Sequence, residues 1–276
     1  MKNRSIALTA YIIVFFSCVW TISTKAEEES KSDFNRQINK LTYQLGYEQT
    51  YSPVYSSYSN TVLETNTTPQ GEEKMVYLTF DDGPSHITGQ ILDILKKHDV
   101  KATFFVMKTK DEYIPYMKRA VEEAHTIGVH TASHKYKEIY ASVDAYLEDF
   151  TECYNYIYEH TGVEPTIFRF PGGSVNNYNS ATRMDIAREM LRRGFIYFDW
   201  NVESADSGKT LPAETIYNNI INGCKGKNRA VIIMHDSSSK FTTAQALGDV
   251  ITQLKADGWQ FAPLTNEVKP VIFKMK

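Results

Sequence analysis

From Met75 to the end of the chain, short apolar runs alternate with longer amphipathic segments, and this alternation leaves few folds open. Apolar runs lie at 75–78, 102–106, 167–169, 195–200, 230–234 and 260–262. Between them, residues 87–98, 115–127, 143–160, 181–193, 213–221 and 243–256 carry apolar side chains at helical spacing. Gly128, Gly162 and Gly194 stand where they would stop three of these helices. Apolar strands separated by helices predict an α/β domain of roughly 200 residues, with about seven parallel strands covered by helices. Active sites in such folds gather at the carboxyl ends of the strands.

The first residues read differently. Met1-Lys2-Asn3-Arg4 is basic, residues 6–22 are uncharged and mostly apolar, and Thr24-Lys25-Ala26 precedes an acidic run. This is the layout of a secretory signal peptide cleaved after Ala26, or of a membrane anchor kept through residues 6–22 with its basic end inside. Either way the chain is expected to be exported, to the extracellular or cell-wall side. Losing residues 1–26 removes three cations and no acid, so the net charge goes from −3 to −6. An acidic exported domain is a poor partner for nucleic acid. Cys153 and Cys224 would remain, as one disulfide or as two buried thiols. Residues 27–72 read as a polar linker or stalk rich in tyrosine, with a short amphipathic stretch through Phe34, Ile38, Leu41 and Leu45. The catalytic body is then 73–276.

Five stretches place chemistry at the strand ends. T-F-D-D-G-P at 79–84 ends the first strand with two carboxylates. Successive strand side chains point in opposite directions, so one of Asp81 and Asp82 can bind a metal while the other faces its open side as a base. The same residues are also good turn formers. H-T-A-S-H supplies His130 and His134; two neutral imidazoles and a carboxylate fit Zn²⁺ and leave a position for water. R-F-P-G-G at 169–173 sets Arg169 where it can pair with Asp81, before glycines that let backbone N–H groups approach a ligand. I-I-M-H-D-S ends an apolar strand with His235, a candidate acid, and W-N-V-E-S-A-D-S at 200–207 offers Glu203 or Asp206 to set its tautomer. Asp236 is a third candidate for that partner.

Together these motifs resemble the polysaccharide deacetylase family, the NodB-type carbohydrate esterases, from about Met75 to Leu264. The resemblance implies a distorted (β/α) barrel with outer helices. It implies that Asp82, His130 and His134 hold a divalent metal, Zn²⁺ or another such as Co²⁺. Asp81 would be the general base, oriented by Arg169, and His235 the general acid, held by Asp206. The N–H of Gly172 would take the oxyanion position, with Pro171 and Trp200 bordering the substrate groove. The family often has Trp where this chain has Ser207, which leaves one wall of that groove open to question. The implied activity is removal of N-acetyl groups from an N-acetylated cell-wall polysaccharide, peptidoglycan foremost, with release of acetate. Chitin-type oligosaccharides and O-acetylated xylan are rivals with the same chemistry. A glycan-binding envelope protein without turnover is a rival of another class, and the presence of all five of Asp81, Asp82, His130, His134 and His235 counts against it. No protein partner is implied.

Overall fold

The computed structural model describes residues 73–275, so the expected leader and Tyr-rich linker lie outside the described residues. Strand β1 (Met75–Gly83) is the centre of the sheet and is almost wholly buried. It pairs in parallel with β2 (Thr103–Val106) on one side and β7 (Arg229–His235) on the other. Beyond β2 come β3 (Thr126–Val129), β4 (Ile167–Phe168) and β5 (Ile196–Tyr197); beyond β7 comes β6 (Val202–Glu203). A short β8 (Gln260–Phe261) pairs with Met75 and Val76 on the edge of β1 that β2 takes from Thr79 onward. All pairings are parallel, and β5 and β6 do not pair with each other, so the sheet is a barrel left open at one seam.

Seven α-helices among the described residues connect these strands: α1 (His86–Lys97), α2 (Ile114–Glu122), α3 (Tyr136–Ile139), α4 (Val143–Thr161), α5 (Arg183–Arg192), α6 (Ala213–Cys224) and α7 (Phe241–Ala256). Their ends follow local chemistry. Ser85 caps α1 through the N–H of Ile87 and forms a capping box with Thr88. Ser142 caps α4, which stops at Gly162 in the left-handed conformation, as its sequence predicts.

One expected element is wrong. The helix anticipated over 115–127 ends at Glu122, Ala124 turns the chain with φ 61°, and Thr126–Val129 is strand β3. Gly128 therefore stops no helix. A methyl group there would sit 2.6 Å from the Phe105 ring and 3.1 Å from the Ile167 carbonyl, so glycine lets neighbouring strands approach. The run expected at 195–200 is also shorter as a strand. Cys153 and Cys224 are separate buried thiols, which settles the disulfide alternative.

Alternation along the strands sorts the barrel interior into layers. Tyr77, Phe105, Ile167, Ile196, Phe198, Val231 and Leu264 form an apolar floor, each large side chain contributing roughly 1.5–3 kcal/mol by burial. The C-terminal segment adds Val268 and Val271 to it and bonds to the connection between β5 and β6, where the Asp199 N–H donates to Val271 O at 2.8 Å. One step further along β1 lies Thr79, and the next inward residue is Asp81 at the mouth.

Candidate active site

The strand mouths surround a cleft of about 310 Å³ lined by Asp81, Asp82, His130, His134, Gly172, Trp200, Asp206 and His235, among others. Asp82 leaves the regular strand with φ 73°, and the β1–β2 register shifts between Asp81 and Gly83. That twist separates the two carboxylates. Asp82 Oδ1 lies 3.5 Å from His130 Nε2 and 3.3 Å from His134 Nε2, and one donor atom from each residue falls within 4.8 Å of the others. The loop carrying the histidines is held by Asp149, whose Oδ1 accepts the N–H of Ala132 at 2.6 Å and of Ser133 at 3.2 Å. Asp82, Thr131, His134 and Ala205 are four of six non-glycine residues with positive φ among the described residues; three of them line the cleft and Thr131 follows His130 in the loop that carries the histidines.

The donor chemistry suits a divalent cation. Nδ1 of His130 is 2.9 Å from the Arg169 carbonyl; donating its hydrogen there leaves the Nε2 lone pair facing Asp82 and His134. Burial, with help from His130, pushes His134 down to about 4, so its ring is neutral at pH 7. Burial alone would raise Asp82, but the imidazoles of His130, His134 and His235 around it hold it well below the usual carboxylate range. Its Oδ1 is nonetheless buried with no hydrogen-bond partner. Two imidazole nitrogens and an orphaned carboxylate oxygen fit a cation with nitrogen and oxygen ligands.

Asp81 is oriented from below. Arg169 is fully buried and donates from Nη1 to Asp81 Oδ1 at 2.9 Å and to Thr79 Oγ1 at 2.7 Å. Its Nε and Nη2 donate to the carbonyls of Phe198 and Asp199, and its guanidinium lies 4.3 Å above the Phe105 ring. The charge is thus paired, with four of its five N–H donors bonded, which a buried guanidinium requires. The second oxygen of Asp81, Oδ2, is 3.8 Å from His130 Nε2 and faces the candidate metal position.

His235 is the register partner of Asp81 on the adjacent strand, so the two side chains flank one position from the same face. Its Nδ1 bonds Asp206 Oδ1 at 2.7 Å. Burial by itself would lower this histidine, but the bond to Asp206 and the charges of Asp206, Asp81 and Asp82 push it up to about 9. It is therefore an imidazolium at neutral pH, with Nδ1 committed to Asp206. Asp206 is fixed in turn: Oδ2 accepts the His235 N–H at 3.0 Å and the Thr243 hydroxyl at 2.7 Å, and Oδ1 accepts Ser204 Oγ at 2.7 Å. Of the other candidates, Glu203 accepts the indole N–H of Trp200, and Asp236 accepts the hydroxyl of Thr88.

The remaining expected residues divide. Gly172 lines the cleft with φ 72°, a methyl there would lie 2.8 Å from the Tyr136 ring, and its N–H has no acceptor among the described residues. Trp200 forms a wall, its ring 4.8 Å from that of Phe273. Pro171 stands just off the cleft, its carbonyl accepting the Tyr140 hydroxyl at 2.8 Å. Ser207 lines the cleft where an indole was in question. No motif pointed to Lys240, yet its buried ammonium donates to the carbonyls of Asp206, Ser207 and Gly208 at 2.6, 3.3 and 3.0 Å and ties that loop to the start of α7. Tyr136, which lines the cleft, was also unforeseen; its only local signal was an aromatic two residues after His134.

A family model described as polysaccharide deacetylase matches residues 68–192. A peptidoglycan-N-acetylglucosamine deacetylase of Bacillus cereus is 31% identical over 202 residues, which covers 71% of this chain and 71% of that relative. One of Listeria monocytogenes is 33% identical over 193 residues, covering 69% of this chain and 38% of that longer protein. Among solved structures, the catalytic domain of a peptidoglycan N-acetylglucosamine deacetylase from Eubacterium rectale has a TM-score of 0.71 and 35% identity, covering 77% of this chain and 98% of that domain. The Xyl-CE4 domain of a multidomain xylanase from the hindgut metagenome of Trinervitermes trinervoides has a TM-score of 0.60 and 27% identity, with coverage of 70% and 88%.

Proposed function

The chain belongs to the polysaccharide deacetylase family, and on that premise we propose that it hydrolyses the N-acetyl groups of cell-wall glycan. Its substrate in this reading is an N-acetylglucosamine or N-acetylmuramic acid residue of peptidoglycan, and its products are acetate and a free amine. The observation that carries the reading is that one cleft holds a three-donor metal set, an Arg169-bound carboxylate and an Asp206-bound imidazolium.

Asp82, His130 and His134 would hold the cation, which when bound supplies Lewis-acid polarisation of the acetyl carbonyl and activation of water. Asp81 takes the proton of the attacking water. Arg169 fixes its Oδ1 and leaves Oδ2 turned toward the cleft. The unused N–H of Gly172 donates to the oxygen on which negative charge develops, a contribution of about 2.7–4 kcal/mol for a well-placed donor. His235, charged at neutral pH, gives its Nε2 proton to the departing nitrogen, while Asp206 keeps Nδ1 and the ring plane fixed. Without that proton an amine anion would have to leave. Residues 6–22 would place this activity outside the cytoplasm, as a leader or an anchor.

The names of the relatives favour peptidoglycan, and the likeness to a xylanase-linked domain keeps O-acetyl xylan as a second reading. The test is acetate release by the Zn²⁺-loaded protein from peptidoglycan, chitin oligosaccharides and acetylated xylan in parallel. Release from peptidoglycan above the other two is expected. Release from xylan alone would replace the substrate, and no release with metal bound would favour a glycan-binding protein without turnover.

A further inference from the structure

A cleft of about 310 Å³ has room for roughly one acetamido sugar, so the neighbouring units of a polymer must lie along its rim. The rim carries an aromatic side chain that the chemistry above does not use. Tyr178 is 53% exposed, one of four large apolar or aromatic side chains in that state among the described residues. The other three, Tyr158, Met184 and Phe241, make no ring contact with a residue of the cleft. The ring of Tyr178 packs at 5.1 Å on Tyr136, which lines the cleft and itself abuts the His134 ring at 5.0 Å.

Tyr178 is presented by a fixed turn. Asn176 Oδ1 accepts the N–H of Tyr178 at 2.8 Å and of Asn179 at 3.1 Å, while its Nδ2 donates to the carbonyls of Pro171 and Gly173. Asn179 is fully buried and donates from Nδ2 to Gly173 O at 3.1 Å. The turn is thereby bonded to the same R-F-P-G-G loop that brings Gly172 to the cleft. A rigid, outward aromatic loses little freedom on binding, and its π face suits the C–H face of a pyranose ring.

We propose that Tyr178, supported by Tyr136, is a stacking platform for the sugar next to the one being deacetylated, and that it makes the enzyme prefer oligomers to single sugars. The proposal rests on the N-deacetylase reading above. Tyr178 does not line the cleft, and Asp81 and His235 are held by Arg169 and Asp206 instead, so its effect falls on KM and leaves kcat in place.

The experiment compares the full chain, loaded with Zn²⁺, on the methyl glycoside of N-acetylglucosamine and on N-acetylglucosamine tetramer. Binding of both is measured in parallel by calorimetry. Tyr178→Ala is expected to weaken tetramer binding and raise its KM about five- to tenfold, with single-sugar binding within about twofold of wild type. Tyr178→Phe should behave as wild type. Equal tetramer affinity in wild type and Tyr178→Ala overturns the platform, and so does an equal loss on both probes, since that is what mere support of Tyr136 would give. A Phe variant as weak as the Ala variant overturns stacking in favour of the hydroxyl. Absence of acetate release by the wild type from either probe counts against the N-deacetylase reading alone, because the calorimetric comparison still decides the platform.

Discussion

Asp206→Asn keeps the size of the side chain and removes its charge, which isolates what holds His235 protonated. With Asp206 in place His235 titrates at about 9, against 6.5 for a free imidazole, even though burial pulls it the other way. The hydrogen bond and charge of Asp206 lead the contributions that raise it, so the variant should titrate at about 6.5 or below. That fall, from about 9 to about 6.5, is worth about 3 kcal/mol of imidazolium stabilisation. At pH 8 the charged fraction would drop from about 0.9 to about 0.03, a thirtyfold loss of the acid form. The same contact depresses Asp206, and its energy is counted once. Because the folded histidine is raised, this stabilisation is fully present below about 6.5 and is lost as pH rises through about 9. The direct assay is the NMR titration of the His235 ring in metal-free protein, wild type and variant, with unfolding free energy followed over the same pH range. Between pH 6.5 and 9 wild type should lose about 3 kcal/mol more than the variant. A variant whose His235 still titrates near 9 would refute the role given to Asp206.

Three further perturbations probe other parts of the account. Arg169→Met strands a buried carboxylate and should cost about 3–5 kcal/mol, lowering the melting temperature by on the order of 10 °C. Arg169→Lys should recover only part of this, since an ammonium cannot make all four bonds. A calorimetric melt of the Met variant within 2 °C or so of wild type would contradict it. Gly128→Ala drives a methyl group into the Phe105 ring and should destabilise the fold by about 1–3 kcal/mol in denaturant; a change below about 0.5 kcal/mol would mean that the strands are not pressed together there. His235→Ala should slow amide hydrolysis more than hydrolysis of an O-acetyl ester on the same sugar, because an alkoxide leaves more readily than an amine anion. Equal slowing would remove His235 as the acid.

Much of this site was legible because strand mouths carry short, ordered motifs. Asp81, Asp82, Arg169 and His235 each stand at or just beyond a run of apolar residues, His130 and His134 show by their four-residue spacing instead, and the parallel sheet brings them all to one end. What stayed hidden depends on contacts far apart in the chain. Gly128 has the same local appearance as a helix stop and as a point of close strand approach, and only Phe105 across the sheet distinguishes them. Strand β6 has two residues, too few for any alternation to show. The residues alone leave Glu203, Asp206 and Asp236 open as partners for His235, the family resemblance points to Asp206, and the Thr243, Ser204 and backbone bonds aim Asp206 at the imidazole. Lys240 reaches carbonyls more than thirty residues away, and Tyr178 owes its position to two asparagines in its own turn.

In the proposed mechanism Asp82, His130 and His134 hold a cation without which the cleft cannot cleave an acetamide. That requirement is tested most directly by acetate release from an N-acetylglucosamine tetramer, using the full chain first stripped by a chelator and then given one equivalent of Zn²⁺. No release is expected from the stripped protein, with recovery on adding Zn²⁺ and no recovery in Asp82→Ala. Undiminished release in the presence of chelator would contradict it.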